Sequence, residues 1–358
     1  MIEVTQEMAT ARVAVIGTGA WGTTLARLVA MERVRQARAI GSATAAHVGD
    51  VTLWEHQPQR ASEMQWGREN RAYLPGFPLP ANLRVTADLE EAVCDREVVL
   101  LVTPSQRLRE NTRMLAPLLA PNAVVVCASK GIELGTRLRL TQVAEQELPK
   151  HVAVAALSGP NLAPEIARGL PAAAVVAARE TEAAERARAA LTASTFRIYT
   201  SHDVVGVEMG GALKNIIAIG IGINDGLQYG DNARASLMTR ALAEISRLGV
   251  AAGANPLTLA GLAGLGDLIA TCTSPLSRNR TLGLELAKGR ALDEVLAERK
   301  TVAEGVTTTR AALELAEELN VELPITQEIA QVLFEGKSVR EAVASLMLRD
   351  PKHELEGF

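Results

Sequence analysis

The chain has 358 residues, enough for two domains at about 150 residues each. Hydrophobic residues supply 48% of it and charged residues 22%, the balance of a packed globular protein rather than a disordered one. Lys and Arg number 37 against 41 Asp and Glu, a net charge of −4, and aromatics reach only 3%, which excludes a basic nucleic-acid or membrane footprint and a base-stacking platform. Cys94, Cys127 and Cys272 lie too far apart in sequence for a disulfide framework or a zinc site. They predict a reducing, cytoplasmic setting and no metal. Glu3 and Glu7 precede the first apolar run, the wrong charge for a signal peptide, and apolar stretches such as Ile216–Ile223 are shorter than a membrane span.

In chain order, Arg12–Ile16 predicts a buried strand and Trp21–Ala30 the helix after it. Glu32–Asp50 reads as a surface insertion. Val51–Trp54, Val98–Val102, Ala123–Cys127 and Val152–Leu157 predict further strands, with helical patterns at Gln106–Leu119 and Thr136–Glu147. Tyr73–Ala81, with three prolines, predicts a loop. Ala172–Ala177 and Phe196–Thr200, with Thr181–Ala193 between them, complete the alternation. Continuous apolar strands at crossover spacing predict a Rossmann-type, doubly wound, mainly parallel sheet. Beyond Ser201 the patterns are helical: Val204–Ile223, Ala233–Ala252, Arg290–Arg299, Thr307–Glu318 and Thr326–Leu333. The expectation is therefore a dinucleotide-binding domain over residues 1–200 and an all-helical domain over 201–358.

Gly17-Thr18-Gly19-Ala20-Trp21-Gly22 follows the first strand and opens a helix. Gly17 permits the turn, Gly19 lets backbone amides approach a pyrophosphate, and Gly22 allows close helix–strand contact. The amides and dipole of the helix N-terminus then hold the phosphates. The acid expected on the ribose 2′-hydroxyl is Glu55, late because of the insertion, while His56 beside it could meet a 2′-phosphate. NAD and NADP both stay open.

A dehydrogenase needs a proton donor or acceptor at the carbonyl oxygen. Lys130 stands just past the Ala123–Cys127 strand, where ligands of open sheets bind, although a surface lysine would sit there equally well. Lys214 lies inside an apolar helix, which is costly unless it is paired, functional, or snorkelling from an edge. Asp267 follows a glycine turn, either as an N-cap or as a partner for Lys214. Ser277-Arg278-Asn279-Arg280 can fork onto phosphate oxygens or lie solvated in a loop. Cys272 has no histidine partner and reads as a small buried residue.

Taken together, Gly17–Gly22, Ser129–Glu133, Leu157–Glu165, Leu213–Asp225, Gly261–Cys272, Ser277–Arg280 and Val302–Gly305 resemble the bacterial NAD(P)-dependent glycerol-3-phosphate dehydrogenase family, in the family's order, from Val13 to about Val343. The resemblance implies hydride transfer between a nicotinamide and the C2 of dihydroxyacetone phosphate or sn-glycerol 3-phosphate, in glycerophospholipid precursor synthesis. It implies Lys214 as the acid–base group, oriented by Asp267. Lys130, Gly159, Asn161, Ser277, Arg278 and Asn279 would complete the substrate set, in a cleft between domains. Asn161 departs from the family's usual Ser or Thr. Trp21, His56, Lys130, Ala163, Arg278, Val302 and Glu304 match positions that line the dinucleotide, and a homodimer is compatible with the family. The alternatives are a β-hydroxyacid or ketopantoate reductase type of dehydrogenase, and a nucleotide-sensing protein without catalysis.

Overall fold

The computed structural model describes residues 11–39, 51–298, 303–351 and 353–354. The chain divides into two compact units. The first comprises 1–129, 141–157 and 161–204, and the second comprises 130–140, 158–160 and 205–358. Two short excursions of the N-terminal half thus group with the helical part, a division that a single boundary near residue 200 does not anticipate.

The first unit is built on an eight-stranded sheet. Its strands are β1 (Val13–Ile16), β2 (Val51–Trp54), β5 (Leu83–Thr86), β6 (Val98–Leu101), β7 (Val124–Cys127), β8 (Ala153–Ser158), β9 (Ala172–Ala178) and β10 (Phe196–Ser201). Strands β3 (Glu69–Asn70) and β4 (Leu74–Pro78) form a separate antiparallel pair. The order is β10-β9-β8-β7-β6-β1-β2-β5, and β1 pairs in parallel with both β2 and β6. The direction of winding reverses between β1 and β6, the topological switch point where open sheets bind ligands. Strands β1, β2, β6 and β7 are buried along their whole length, which is why they read as unbroken apolar runs.

Three expectations change. The helix after β1 runs Ala20–Ala39 rather than stopping at Ala30, and it buries Glu32 and Arg33. The Glu32 carboxylate is satisfied by Arg35, by Gln36 at 3.2 Å and by the Ser194 amide at 3.2 Å, so this segment is not a surface insertion. The rest of the segment, 40–50, lies outside the described residues. Tyr73–Ala81 is not all loop, since Leu74–Pro78 pairs with Glu69–Asn70 as a two-stranded ribbon; its prolines are tolerated because the ribbon has no further neighbours. The edge strand β5 escapes the sequence pattern because it is short, with Arg84 exposed between Leu83 and Val85.

The second unit is helical, with a core of Leu213, Ile216, Ile217, Ile219, Leu268 and Leu282 among others. Its central helix, Val204–Gly226, and the stretch Pro256–Thr273 are long and apolar enough to cross a membrane by length and composition alone. The first is 89% buried over its most apolar window and is a core helix. The second is broken into short pieces, Pro256–Leu259, Leu262–Gly266 and Asp267–Thr273.

Candidate active site

In the first unit the glycine turn leaves β1 directly into the Ala20 helix. Gly17 has φ +116°, a conformation that only glycine adopts readily, and a Cβ there would stand 2.6 Å from the Val102 carbonyl oxygen at the end of β6. At Gly22 a Cβ would overlap the Gly17 carbonyl. Gly19 instead faces open space with nothing within 4 Å. Turn, helix N-terminus and open approach at Gly19 together fit a dinucleotide pyrophosphate. Ala20 opens the helix, and the partly buried Trp21 packs edge-on to Phe196 at 6.2 Å with its Nε1 lacking a hydrogen-bond partner.

Glu55 is enclosed just past the end of β2. Its side chain is fully buried, accepting from the Thr18 hydroxyl inside the glycine turn and from the Gln57 amide at 3.0 Å. Arg60 lies 3.2 Å from the same carboxylate and His56 3.0 Å. A buried carboxylate must collect such partners, and those it has collected tie β2 to the turn. His56, 64% exposed, is the open group at this strand end. Ala163 is buried at the start of a short helix and accepts from the Thr24 hydroxyl at 3.3 Å. Asn161 has both carboxamide atoms buried without a hydrogen-bond partner. Val302 lies outside the described residues.

The second unit gathers the predicted acid–base residues. Asp267 is 1% exposed and bridges two ammonium groups, with one oxygen on Lys214 and the other on Lys130. Lys130 also donates to the Gly159 carbonyl at 2.9 Å. Lys214 also donates to the Thr271 hydroxyl at 2.6 Å. Thr271 was not singled out by its sequence, yet it lies four residues after Asp267, one helical turn away on the same face. That i, i+4 spacing was the available signal. Two cations share one carboxylate in a buried place, so the cluster carries excess positive charge. Burial lowers the Lys214 pKa most; Asp267 pulls it up, Lys130 pushes it down, and the value falls from 10.5 to about 7. Cys272, also buried, has its thiol pushed up to about 12 and is no nucleophile.

The Ser277–Arg280 cluster is divided by its helix. Ser277 caps Arg278–Ala287, accepting from the Arg280 amide at 3.2 Å. Arg278 keeps an exposed face, while desolvation lowers its pKa against the raising field of Glu304. Asn279 is buried, and its carboxamide donates to Asn215 at 3.0 Å and accepts from the Gly305 amide at 3.1 Å. Its side chain therefore joins the residue after Lys214 to the residue after Glu304. Arg280 turns away from this end and pairs with Asp225.

Two family patterns cover the chain: the NAD-dependent glycerol-3-phosphate dehydrogenase N-terminus over residues 12–184 and the corresponding C-terminus over 203–344. A glycerol-3-phosphate dehydrogenase [NAD(P)+] of Geobacter metallireducens is 49% identical over 345 residues, covering 96% of this chain and 98% of that protein. The crystal structure of glycerol-3-phosphate dehydrogenase from Coxiella burnetii is similar at a TM-score of 0.86 and 35% identity, covering 95% of this chain and 99% of that one. A ketopantoate reductase from Ralstonia eutropha reaches a TM-score of 0.56 at 15% identity over 94% of this chain and 99% of its own, which shows a shared fold alone. The chain therefore belongs to the glycerol-3-phosphate dehydrogenase family of NAD(P)-dependent oxidoreductases.

Proposed function

We propose that this chain interconverts dihydroxyacetone phosphate and sn-glycerol 3-phosphate, with Lys214 moving the proton at the C2 oxygen. The observation that carries this reading is the buried Lys130–Asp267–Lys214 cluster, in which Lys214 has a pKa of about 7. When bound, the nicotinamide supplies or accepts the hydride at C2. In the reductive direction the Lys214 ammonium gives its proton to the C2 oxygen as negative charge develops there; in the oxidative direction the neutral amine takes it back. Asp267 holds both ammonium groups, and Thr271 fixes the Lys214 Nζ from a second side. Lys130, anchored on the Gly159 carbonyl, adds the positive charge that favours an anionic substrate.

Arg278 and the first amides of its helix form the phosphate end. Arg278 presents a planar fork, and the helix N-terminus presents backbone N–H groups. Asn279 contributes through its backbone amide, since its carboxamide is occupied by Asn215 and Gly305. Glu304 stays beside Arg278 as a dinucleotide residue on the family pattern. Glycerophospholipid precursor synthesis in the cytoplasm agrees with this activity and with three free cysteines.

The test is a substrate screen with NADH and NADPH in parallel. Oxidation with dihydroxyacetone phosphate, and none with ketopantoate, is the expected result. Turnover of ketopantoate instead would move the assignment to the alternative dehydrogenase, and the absence of any turnover would favour a nucleotide-sensing protein.

A further inference from the structure

Asp225 lies on the Lys214 helix eleven residues further on, about three turns, which returns it to nearly the same face about 16 Å away along the axis. Its side chain is 7% exposed, and each carboxylate oxygen carries one arginine. Arg280 approaches the first through Nε at 2.8 Å and Nη2 at 2.7 Å. Arg234 approaches the second through Nε at 2.9 Å and Nη2 at 2.8 Å. Only Arg280 stands on the helix that presents Arg278.

That helix packs against the Lys214 helix with almost no intervening side chain. A Cβ on Gly222 would overlap the Arg280 carbonyl oxygen, and one on Gly283 would overlap the Ile219 carbonyl oxygen. Where the glycines face each other the side-chain ridges that fix sliding and rotation are interrupted, while Leu282 and Leu286 pack in the same core as Ile219 and Ile223 on either side. Directional contacts add to that packing. One is the Asn215–Asn279 hydrogen bond near Lys214, and the other is the Asp225–Arg280 fork two to three turns away.

We propose that Asp225 is a positioning residue for the phosphate end of the site: by gripping Arg280 it sets the register of the Arg278–Ala287 helix on the Lys214 helix. The Arg278 fork and the helix N-terminal amides are thereby held at a fixed distance from Lys214. This inference rests on the proposed reaction. It assigns Arg280, within the Ser277–Arg280 cluster, to holding the helix rather than to contacting phosphate.

The experiment compares Arg280→Met, Asp225→Ala and Arg234→Met with the wild-type chain on dihydroxyacetone phosphate and on unphosphorylated dihydroxyacetone, with Tm recorded for each. A misplaced phosphate clamp should raise KM for the phosphorylated ketone by about 10- to 100-fold and change kcat far less. The ratio of kcat/KM for the phosphorylated over the unphosphorylated ketone should fall by the same factor in Arg280→Met and Asp225→Ala. Arg234→Met should lose Tm yet keep that ratio within about twofold, and Arg280→Lys should recover part of it. If Asp225→Ala fails to fold, the double variant D225A/R280M carries the same comparison without an orphaned Arg280. Equal ratios in all variants, or equal falls for both arginines, would overturn the inference while leaving the reaction standing. A wild-type chain inactive on both ketones would overturn the reaction, and this inference with it.

Discussion

The Lys214 pKa is low because burial outweighs the pull of its carboxylate partner. Burial drives the ammonium to lose its proton, Asp267 holds the proton on, and Lys130 repels it. Lys214→Ala should lower kcat by about 10²–10⁴ while leaving the dinucleotide Kd nearly unchanged, as measured by steady-state kinetics beside a fluorescence titration. With Lys214 near 7, kcat/KM for ketone reduction should fall as pH rises through that value, and alcohol oxidation should rise through it. A stability consequence follows from the same shift. Between about 7 and 10.5 the unfolded chain binds a proton at Lys214 that the folded chain does not, so stability rises with pH across that window. The contribution is fully present above 10.5 and lost as pH falls through 7. Lys214→Met should flatten this slope in denaturant titrations taken at successive pH values.

The phosphate and ribose ends make sharper distinctions. Arg278→Ala should lose about 3–5 kcal/mol of transition-state binding for the phosphorylated ketone and far less for the unphosphorylated one, because two charge-assisted bonds disappear together. An unchanged ratio of kcat/KM between the two ketones would remove Arg278 as the clamp. Glu55 is expected to act on the turn, not on the 2′ group. Glu55→Gln should weaken NADH and NADPH alike, while His56→Ala should change the ratio of their kcat/KM values. A shift towards NADPH in the Glu55 variant would restore that carboxylate to the ribose.

Among the elements, the Lys214 helix owes its neighbours' closeness to its glycines, and the cost of filling them is unequal. A Cβ on Gly222 meets rigid backbone, whereas a Cβ on Gly220 meets the tip of Ile329 at 3.1 Å, beside a small groove lined by Leu237, Val332 and Ala342. Gly222→Ala should therefore cost about 1–3 kcal/mol or more, from overpacking that no rotamer change relieves. Gly220→Ala should cost much less, because the helix propensity gained at that position, about 1 kcal/mol, offsets part of the crowding. Urea unfolding of the two variants checks the order, and equal costs would mean that the helix backbones yield. Glu244 works at the same scale: buried, it accepts from the Ile325 and Thr326 amides at 2.8 and 2.9 Å and so caps Pro324–Phe334. Nothing in its local pattern distinguishes it from a surface glutamate, because its partners are 81 and 82 residues away.

At the scale of the whole molecule the labour divides between the units. The glycine turn belongs to the first and the Lys130–Asp267–Lys214 cluster to the second. Saturating dinucleotide at about 100 times its Kd should stabilise the wild type by about 2.7 kcal/mol and Lys214→Ala equally, while Gly17→Ala should show little gain. A loss of that gain in the lysine variant would contradict the division. The sequence by itself determined most strands of the sheet and the glycine turn, and it marked Lys214 and Asp267 as candidates. Those features are written in local signals: unbroken apolar runs, glycines at a strand end, and charges set in apolar helices. Only the tertiary structure decided that Glu55 faces the turn, that Thr271 and Lys130 complete the cluster, that Asn279 spends its side chain on Asn215 and Gly305, and that Arg280 belongs to Asp225. Each of these depends on which distant segment comes to lie opposite. A buried polar group takes whatever partner the packing brings, and chain spacing does not encode that choice.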